Sequence, residues 1–291
     1  MPELPEVETQ VRDLKKEIKG LTIKDIIPIY KKVLKKPKNF KLFKNSILNK
    51  KVLDIERLGK NILIHAGDKV ILIHQKIAGH ILYSKWIKKG NNYISEDKII
   101  KKDPKNRFLI YLFVFNNGKM LGLCDPRKFS KIELWSRKDI KKIKEIKKLG
   151  EDPFSKNFTF NYFYGKIKNK NKSIKSVLLD QSIVLGIGNI YSDEILWQAK
   201  VHPTKKAKEL SLNEIKEIFK AIKQVLREGI KKRGESFSDW RDIFGKKGNY
   251  DKYKKVFKRE GLSCKRCKSA ILKTKISGRT SRFCSNCQKY D

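Results

Sequence analysis

Residues 107–124 read RFLIYLFVFNNGKMLGLC, two runs of β-branched, aromatic and leucine side chains on either side of Asn116-Asn117-Gly118. An Asn-Gly step adopts the positive backbone angles of a tight two-strand turn, so this stretch predicts a β-hairpin. Working outward, comparable short runs rich in Ile, Val, Leu and Phe occupy residues 21–30, 51–57, 61–66, 69–77, 80–86 and 129–135. With the hairpin's own 107–115 and 119–124 they make eight strand candidates, and no helical pattern separates them. Such an order favours an antiparallel sandwich or barrel over a parallel sheet. In front of the strands, Val7, Val11, Leu14 and Ile18 are spaced four, three and four apart. That spacing predicts an amphipathic helix over 5–19, ended at Gly20.

From about residue 136 the character changes. Lys138 to Lys148 reads as a charged helical stretch, and Gly150-Glu151-Asp152-Pro153 as a linker. Ser211 and Glu214 form a capping box that opens a helix with Leu212, Ile215, Phe219, Ile222 and Leu226 on one face. Residues 173–180 and 190–199 predict two helices joined by QSIVLGIG, residues 181–188, whose two glycines let backbone N–H groups at a helix start face a phosphate. Residues 245–259, rich in Lys and Gly, predict a loop.

Composition narrows the partner. Lys and Arg total 70 against 31 Asp and Glu, a formal charge of +39. The abundance of Lys, Ile and Asn together inflates that charge, yet its sign and size point to a polyanion, and nucleic acid leads. No apolar run approaches the roughly 20 residues that span a bilayer. The acidic first residues lack a signal-peptide core, which places the protein in the cytoplasm, or the nucleoid of a bacterium.

Cys264-x2-Cys267 and Cys284-x2-Cys287 are two knuckles 16 residues apart, a spacing suited to four thiolates around one structural Zn²⁺. A pair of disulfides is the alternative, disfavoured in a reducing compartment. Between the knuckles, residues 271–276 and 280–283 predict a hairpin with Gly278 at its tip and Arg279 projecting from it. Cys124, in an apolar run, reads as a small core residue. At the other end, removal of Met1 leaves Pro2 with a free secondary amine. Such an amine titrates near neutrality and can form a cationic iminium with a sugar carbon, which drives elimination.

The opening Pro2-Glu3-Leu4-Pro5-Glu6-Val7-Glu8, the run Asp125-Pro126-Arg127-Lys128-Phe129, Gly186-Ile187-Gly188-Asn189-Ile190-Tyr191 and the four cysteines together resemble the formamidopyrimidine-DNA glycosylase family from end to end. The resemblance implies an α+β protein: an N-terminal antiparallel β-sandwich with an N-terminal helix, a C-terminal helix-two-turn-helix domain at 173–199, and a zinc-finger β-hairpin. The expected divisions are 1–135 for the catalytic sandwich, 136–155 for a linker, 156–259 for the helical domain with a lesion-recognition loop, and 260–291 for the zinc finger.

It further implies a bifunctional DNA glycosylase and abasic-site lyase of base excision repair, acting as a monomer on damaged double-stranded DNA and removing oxidised purines such as 8-oxoguanine and formamidopyrimidines. In that scheme Pro2 is the nucleophile and Glu3 the proton shuttle. Lys60 reaches the same site from a hairpin, and Arg279 grips the phosphate. Extruding a base costs a few kcal/mol, usually offset by a wedge. By resemblance the wedge set is Ile77, Arg127 and Phe129, while Lys170, Lys175 and Asn189 hold the backbone. The chain departs from the family in Ile77 where methionine is usual, in Gln75-Lys76 before it, in Lys128 where a second arginine is common, and around Gly234-Glu235-Ser236-Phe237. These bear on lesion preference. Two rival readings are an endonuclease VIII-like preference for oxidised pyrimidines, against which Leu4 argues, and a DNA-binding protein without activity.

Overall fold

The computed structural model describes residues 1–140, 143–236 and 239–290. Helix α1 (Leu4–Ile18) begins with Pro5 in its first turn, where a missing N–H leaves no bond unmade, and buries Val7, Val11, Leu14 and Ile18 as their spacing predicts. A four-stranded sheet follows in the order β1 (Ile23–Pro28), β9 (Leu109–Phe115), β10 (Met120–Cys124), β6 (His80–Ser84). The second sheet has five strands in the order β2 (Leu34–Lys36), β11 (Lys131–Ser136), β5 (Lys69–His74), β4 (Asn61–Ala66), β3 (Val52–Leu58). Ile26, Phe113 and Leu121 from the first sheet share one core with Ile55, Ile62, Ile64, Ile71 and Ile132 from the second and with α1. This is the sandwich. Burial of each such side chain stabilises by roughly 1.5–3 kcal/mol.

Both sheets are also covered on their outer faces, so their strands read as continuous apolar runs. Leu63, Val70 and Leu72 pack with Ile140 and Ile143, and Leu82, Leu109 and Leu112 with Trp86 and Ile100. The hairpin at 116–118 forms as predicted, with Phe115 N donating to the Lys119 carbonyl at 3.0 Å.

Several elements differ from expectation. Within the two sheets of the sandwich, pairing is antiparallel except at β2, a three-residue edge strand that runs parallel to β11 through Leu34 and Ile132. β5 stops at His74 rather than 77, because Lys76 adopts φ +55° and the chain leaves the sheet. Helix α2 (Phe40–Ile47), the hairpin β7 (Trp86–Lys89) and β8 (Asn92–Ser95), and α3 (Lys98–Lys102) lie in lysine-rich stretches whose charges hide the alternation. Of the charged stretch 138–148, the described residues form the short α-helix α4 (Lys144–Lys147) and not one continuous helix.

The described chain divides into two compact units, residues 1–147 with 232–249, and residues 148–231 with 250–291. The stretch 232–249, expected within the helical domain, therefore belongs with the sandwich, and the physical reason is a set of bonds and core contacts with it. Arg233 Nη2 lies 2.5 Å from Asp13 and 2.7 Å from Asp242, Ile243 sits in the sandwich core, and Tyr83 N donates to the Ile243 carbonyl at 2.7 Å. The expected linker 136–155 is likewise shared out, since Gly150 N donates to the Gln181 carbonyl at 2.9 Å within the second unit.

The second unit holds α5 (Phe160–Ile167), α6 (Ile174–Leu179), α7 (Asn189–Ala199), α8 (Leu212–Lys231) and the hairpin β12 (Ile271–Ile276) and β13 (Arg279–Cys284). The capping box of α8 is present: Ser211 N donates to Glu214 at 2.7 Å and Glu214 N to Ser211 Oγ at 3.2 Å. Leu212, expected on the buried face, is instead exposed in the first turn, and Ile215, Ile218, Ile222 and Leu226 form the stripe. The predicted loop 245–259 is anchored at its second half. Tyr250 is buried against Tyr191, and the Glu194 carboxylate accepts from the backbone N of Lys255, Val256 and Phe257.

Candidate active site and nucleic-acid interface

Pro2 and Glu3 lie buried immediately before α1, with Glu3 only 2% exposed. Glu3 N donates to Glu6 Oε2 at 2.8 Å, and Glu6 Oε1 accepts from Glu235 N at 2.7 Å. One buried carboxylate thus joins the start of the helix to the stretch expected to read the base, at the helix end where the dipole favours an anion. The approach is close: a Cβ at Gly234, which has φ +76°, would meet that carboxylate at 2.8 Å. Phe237, the last residue of the altered stretch, lies outside the described residues.

Lys60 occupies the turn joining β3 to β4, as expected. The base of its hairpin is fixed to α1 by Arg57 Nε, which donates to Glu8 at 2.8 Å. Burial raises the Glu8 carboxyl, but the Arg57 and Arg12 guanidinium groups outweigh it and hold Glu8 below its ordinary value. Across the sheet, Asn61 pairs with His74 and His74 with Lys131. His74 Nδ1 accepts from Lys76 N at 2.9 Å. Burial, then the charges of Lys76, Lys131 and Lys60, push the imidazole down to about 3. The imidazole therefore stays neutral among the three lysines. Sequence reasoning missed it, because a lone histidine at a strand end carries no spacing signal.

Ile77 and Phe129 project with 46% and 57% of their surface exposed, and Arg127 is exposed between them in sequence. The two loops that carry them are tied by Asp125 and Ser130. Asp125 accepts from Arg127 N at 3.0 Å, Phe129 N at 2.9 Å and Ser130 N at 2.8 Å. Ser130 Oγ lies 2.7 Å from Asp125 Oδ2 and 3.1 Å from the Gln75 carbonyl. Gly79 N donates to that same carbonyl at 3.1 Å, and any side chain at 79 would collide with it. Asp125 and Ser130 thus position the loops that carry Ile77, Arg127 and Phe129. Only the former fell within a quoted motif, where it had no assigned role.

In the second unit, Lys170 is exposed before α6. Lys175 is not. Its side chain is wholly excluded from solvent, with Nζ 2.5 Å from Asp193 Oδ1 and 3.4 Å from the Thr280 carbonyl. A lysine so enclosed cannot grip DNA, and its work is to hold the hairpin against α6 and α7. Asn189 opens α7 behind Gly188, its Nδ2 donating to the same Thr280 carbonyl at 3.2 Å while Oδ1 has no protein partner. Asp193 completes the clamp, accepting from Ser281 Oγ at 2.7 Å and Arg282 N at 3.0 Å. Arg279 stands exposed beside the clamped segment, past a two-residue turn of Ser277 and Gly278 with φ +48° and +73°.

The four cysteines converge, with all sulfur atoms within 4.8 Å of one another. Cys264 and Cys287 sulfurs are 4.0 Å apart and those of Cys267 and Cys284 3.3 Å. A tetrahedral ion with metal–sulfur bonds of about 2.3 Å separates its ligands by close to this much, so the quartet fits a metal. Trp197 supports it from α7, with Nε1 3.4 Å from Cys264 Sγ. Cys124 is buried core, its thiol donating to the Asn106 carbonyl at 3.3 Å. No described helix is long and apolar enough to cross a membrane.

Comparison with known proteins agrees with this geometry. The family description "Formamidopyrimidine-DNA glycosylase N-terminal domain" matches residues 1–132, and "Formamidopyrimidine-DNA glycosylase H2TH domain" matches residues 149–240. The chain is 36% identical over 290 residues, 99% of each protein, to the formamidopyrimidine-DNA glycosylase of Pelotomaculum thermopropionicum, and 33% identical over 288 residues, again 99% of each, to that of Bacillus cereus. Among solved structures it resembles Lactococcus lactis Fpg bound to DNA containing an abasic site, with TM-score 0.86, 30% identity, and 99% of this chain and 100% of that one covered. The same protein bound to DNA containing an oxidised pyrimidine matches with TM-score 0.86 and 31% identity over the same shares.

Proposed function

Because the chain belongs to the formamidopyrimidine-DNA glycosylase family, we propose that it excises oxidised purines, 8-oxoguanine and formamidopyrimidines, and then cleaves the strand through an iminium at Pro2. Once Met1 is removed, the Pro2 nitrogen attacks C1′ of the damaged nucleotide. The C1′–base bond breaks, and the base departs with a proton. The sugar ring then opens as the C1′–O4′ bond breaks and O4′ takes up a proton, leaving an iminium at C1′; this acidifies C2′–H, so loss of that proton expels the 3′ phosphate, and a second elimination expels the 5′ phosphate. Glu3, adjacent to the amine, moves the protons. Lys60 and Arg279 hold the phosphates, with the charge-assisted contacts that planar guanidinium and point ammonium groups provide. Ile77 and Phe129 fill the vacated stack, and Arg127 meets the orphaned base.

The observation that carries this reading is the buried Glu3–Glu6–Glu235 connection at the start of α1, which sets the nucleophile's neighbour and the base-reading stretch in one rigid arrangement. The cysteine quartet binds one structural Zn²⁺ in this proposal, and what that ion supplies is a folded hairpin tip. The protein works as a monomer in the cytoplasm or nucleoid.

Borohydride trapping tests the chemistry. The mature chain should form a covalent adduct with a duplex containing 8-oxoguanine opposite cytosine; absence of an adduct, or equal trapping by Pro2→Gly, refutes the nucleophile. A second reading, preference for oxidised pyrimidines, has one observation in its favour: the Lactococcus relative has been solved with such DNA. Parallel cleavage of 8-oxoguanine and thymine glycol duplexes separates the two.

A further inference from the structure

Gln75 is the first residue of the loop 75–79 that carries Ile77, and its side chain is 1% exposed. Its Nε2 donates to Gln10 Oε1 at 2.5 Å, and Gln10 Nε2 donates in turn to the Arg241 carbonyl at 3.1 Å. Gln10 lies on α1, about two turns beyond Glu3. The far end is also fixed, since Arg241 Nε donates to Asp103 at 2.6 Å. Two buried amides therefore link the wedge loop, the helix that follows the nucleophile and the 232–249 stretch, all inside the first unit.

The pair is a poor device for stability alone. Gln75 Oε1 is buried without a partner, and an orphaned acceptor subtracts from whatever the amide–amide bond contributes. Apolar side chains of the same size would fill the space without that loss. What amides add is direction: a hydrogen bond fixes the distance and angle between loop and helix, where apolar packing tolerates sliding. The wedge must enter the stack while the extruded sugar reaches Pro2, so a fixed relation between Ile77 and the start of α1 has a use.

We propose that the Gln10–Gln75 hydrogen bond is a positioning pin for the wedge, coupling insertion of Ile77 to presentation of the nucleophile; the proposal rests on the glycosylase reading above. Gln10 and Gln75 are positioning residues and touch neither base nor sugar.

The test uses the full mature chain as wild type, Gln75→Leu, Gln10→Val and the double variant. One substrate is a duplex with 2-aminopurine beside 8-oxoguanine, whose fluorescence reports unstacking. The other is a single strand with a pre-formed abasic site, which needs no wedge. Each single variant should slow unstacking and excision on the duplex about tenfold while cleaving the abasic strand within about twofold of wild type, and the double variant should stay as slow as the single ones, since apolar packing restores no directional bond; recovery in the double variant would trace the loss to a stranded amide and overturn the pin. Gln75→Asn keeps the amide but shortens its reach, and should slow unstacking equally if Gln75→Leu does not fold. Unchanged unstacking in the single variants, or a parallel fall on the abasic strand, overturns the pin. Wild-type cleavage of the abasic strand checks the lyase reading separately; its absence overturns that reading and the pin with it.

Discussion

Lys175 Nζ sits 2.5 Å from Asp193 Oδ1 with both side chains wholly excluded from solvent, and Asp193 accepts in addition from Ser281 Oγ and Arg282 N of the β12–β13 hairpin. A lysine expected to meet DNA is thus an internal strut for the segment next to Arg279. Removing one member of a buried pair leaves the other charge uncompensated. Lys175→Ala should lower stability by about 3–5 kcal/mol. The slope of DNA affinity against salt should stay unchanged, whereas Lys170→Ala should keep the stability and reduce that slope by about 1. Thermal melts and salt titrations of the two variants check both halves.

Gly79 sits where the loop that carries Ile77 turns back on itself. A methyl group there would meet the Gln75 carbonyl at 2.4 Å and Ser130 Oγ at 2.5 Å, neither of which can yield without moving Ile77 or the Asp125 loop. Gly79→Ala should cost about 1–3 kcal/mol in stability through this overpacking. It should also slow excision from duplex more than cleavage of a single-stranded abasic site. Equal losses on the two substrates would count against a role in the wedge.

His80 is fully buried, and burial pushes its imidazole down to about 4 from 6.5, against the support of Asn106 Oδ1 at 3.0 Å. The folded protein refuses a proton that the unfolded chain accepts near pH 6.5. Stability is therefore complete above that pH and declines as pH falls toward 4, by on the order of 3 kcal/mol. His74, held down to about 3, acts with the same sign over a wider window. His80→Gln, which retains a donor for Asn106, should flatten the dependence of melting temperature on pH between 6.5 and 4 without abolishing it.

What the sequence made legible was local. The 116–118 hairpin, the stripe on α1, the Ser211–Glu214 capping box and the cysteine knuckles each depend on residues within a few positions of one another, and each is present. What it concealed were pairings across long stretches of chain. Glu6 with Glu235, Lys175 with Asp193, and Ser130 with Gln75 leave no periodic trace, so a buried lysine and an exposed one look alike in the sequence. His74 was hidden for the same reason: the lysines around it come from the β3–β4 turn, the loop 75–79 and β11.

The cysteine quartet joins the turn 264–267 to the end of β13, and so bears directly on the strand that begins with Arg279. Structural zinc contributes folding free energy only where its ligands are thiolates in place, and the small hydrophobic group beneath the site, Trp197, Val256 and Ile271, is too slight to hold the hairpin alone. Metal analysis of the purified chain should return one zinc per molecule. Chelation, or Cys267→Ser, should release the hairpin at residues 271–284 and weaken binding to abasic duplex, while the melting of the sandwich, which shares no ligand with the quartet, stays in place. Zinc-loaded chain whose DNA affinity survives chelation would show that the hairpin's hold on Arg279 comes from the Lys175–Asp193 strut and not from the metal.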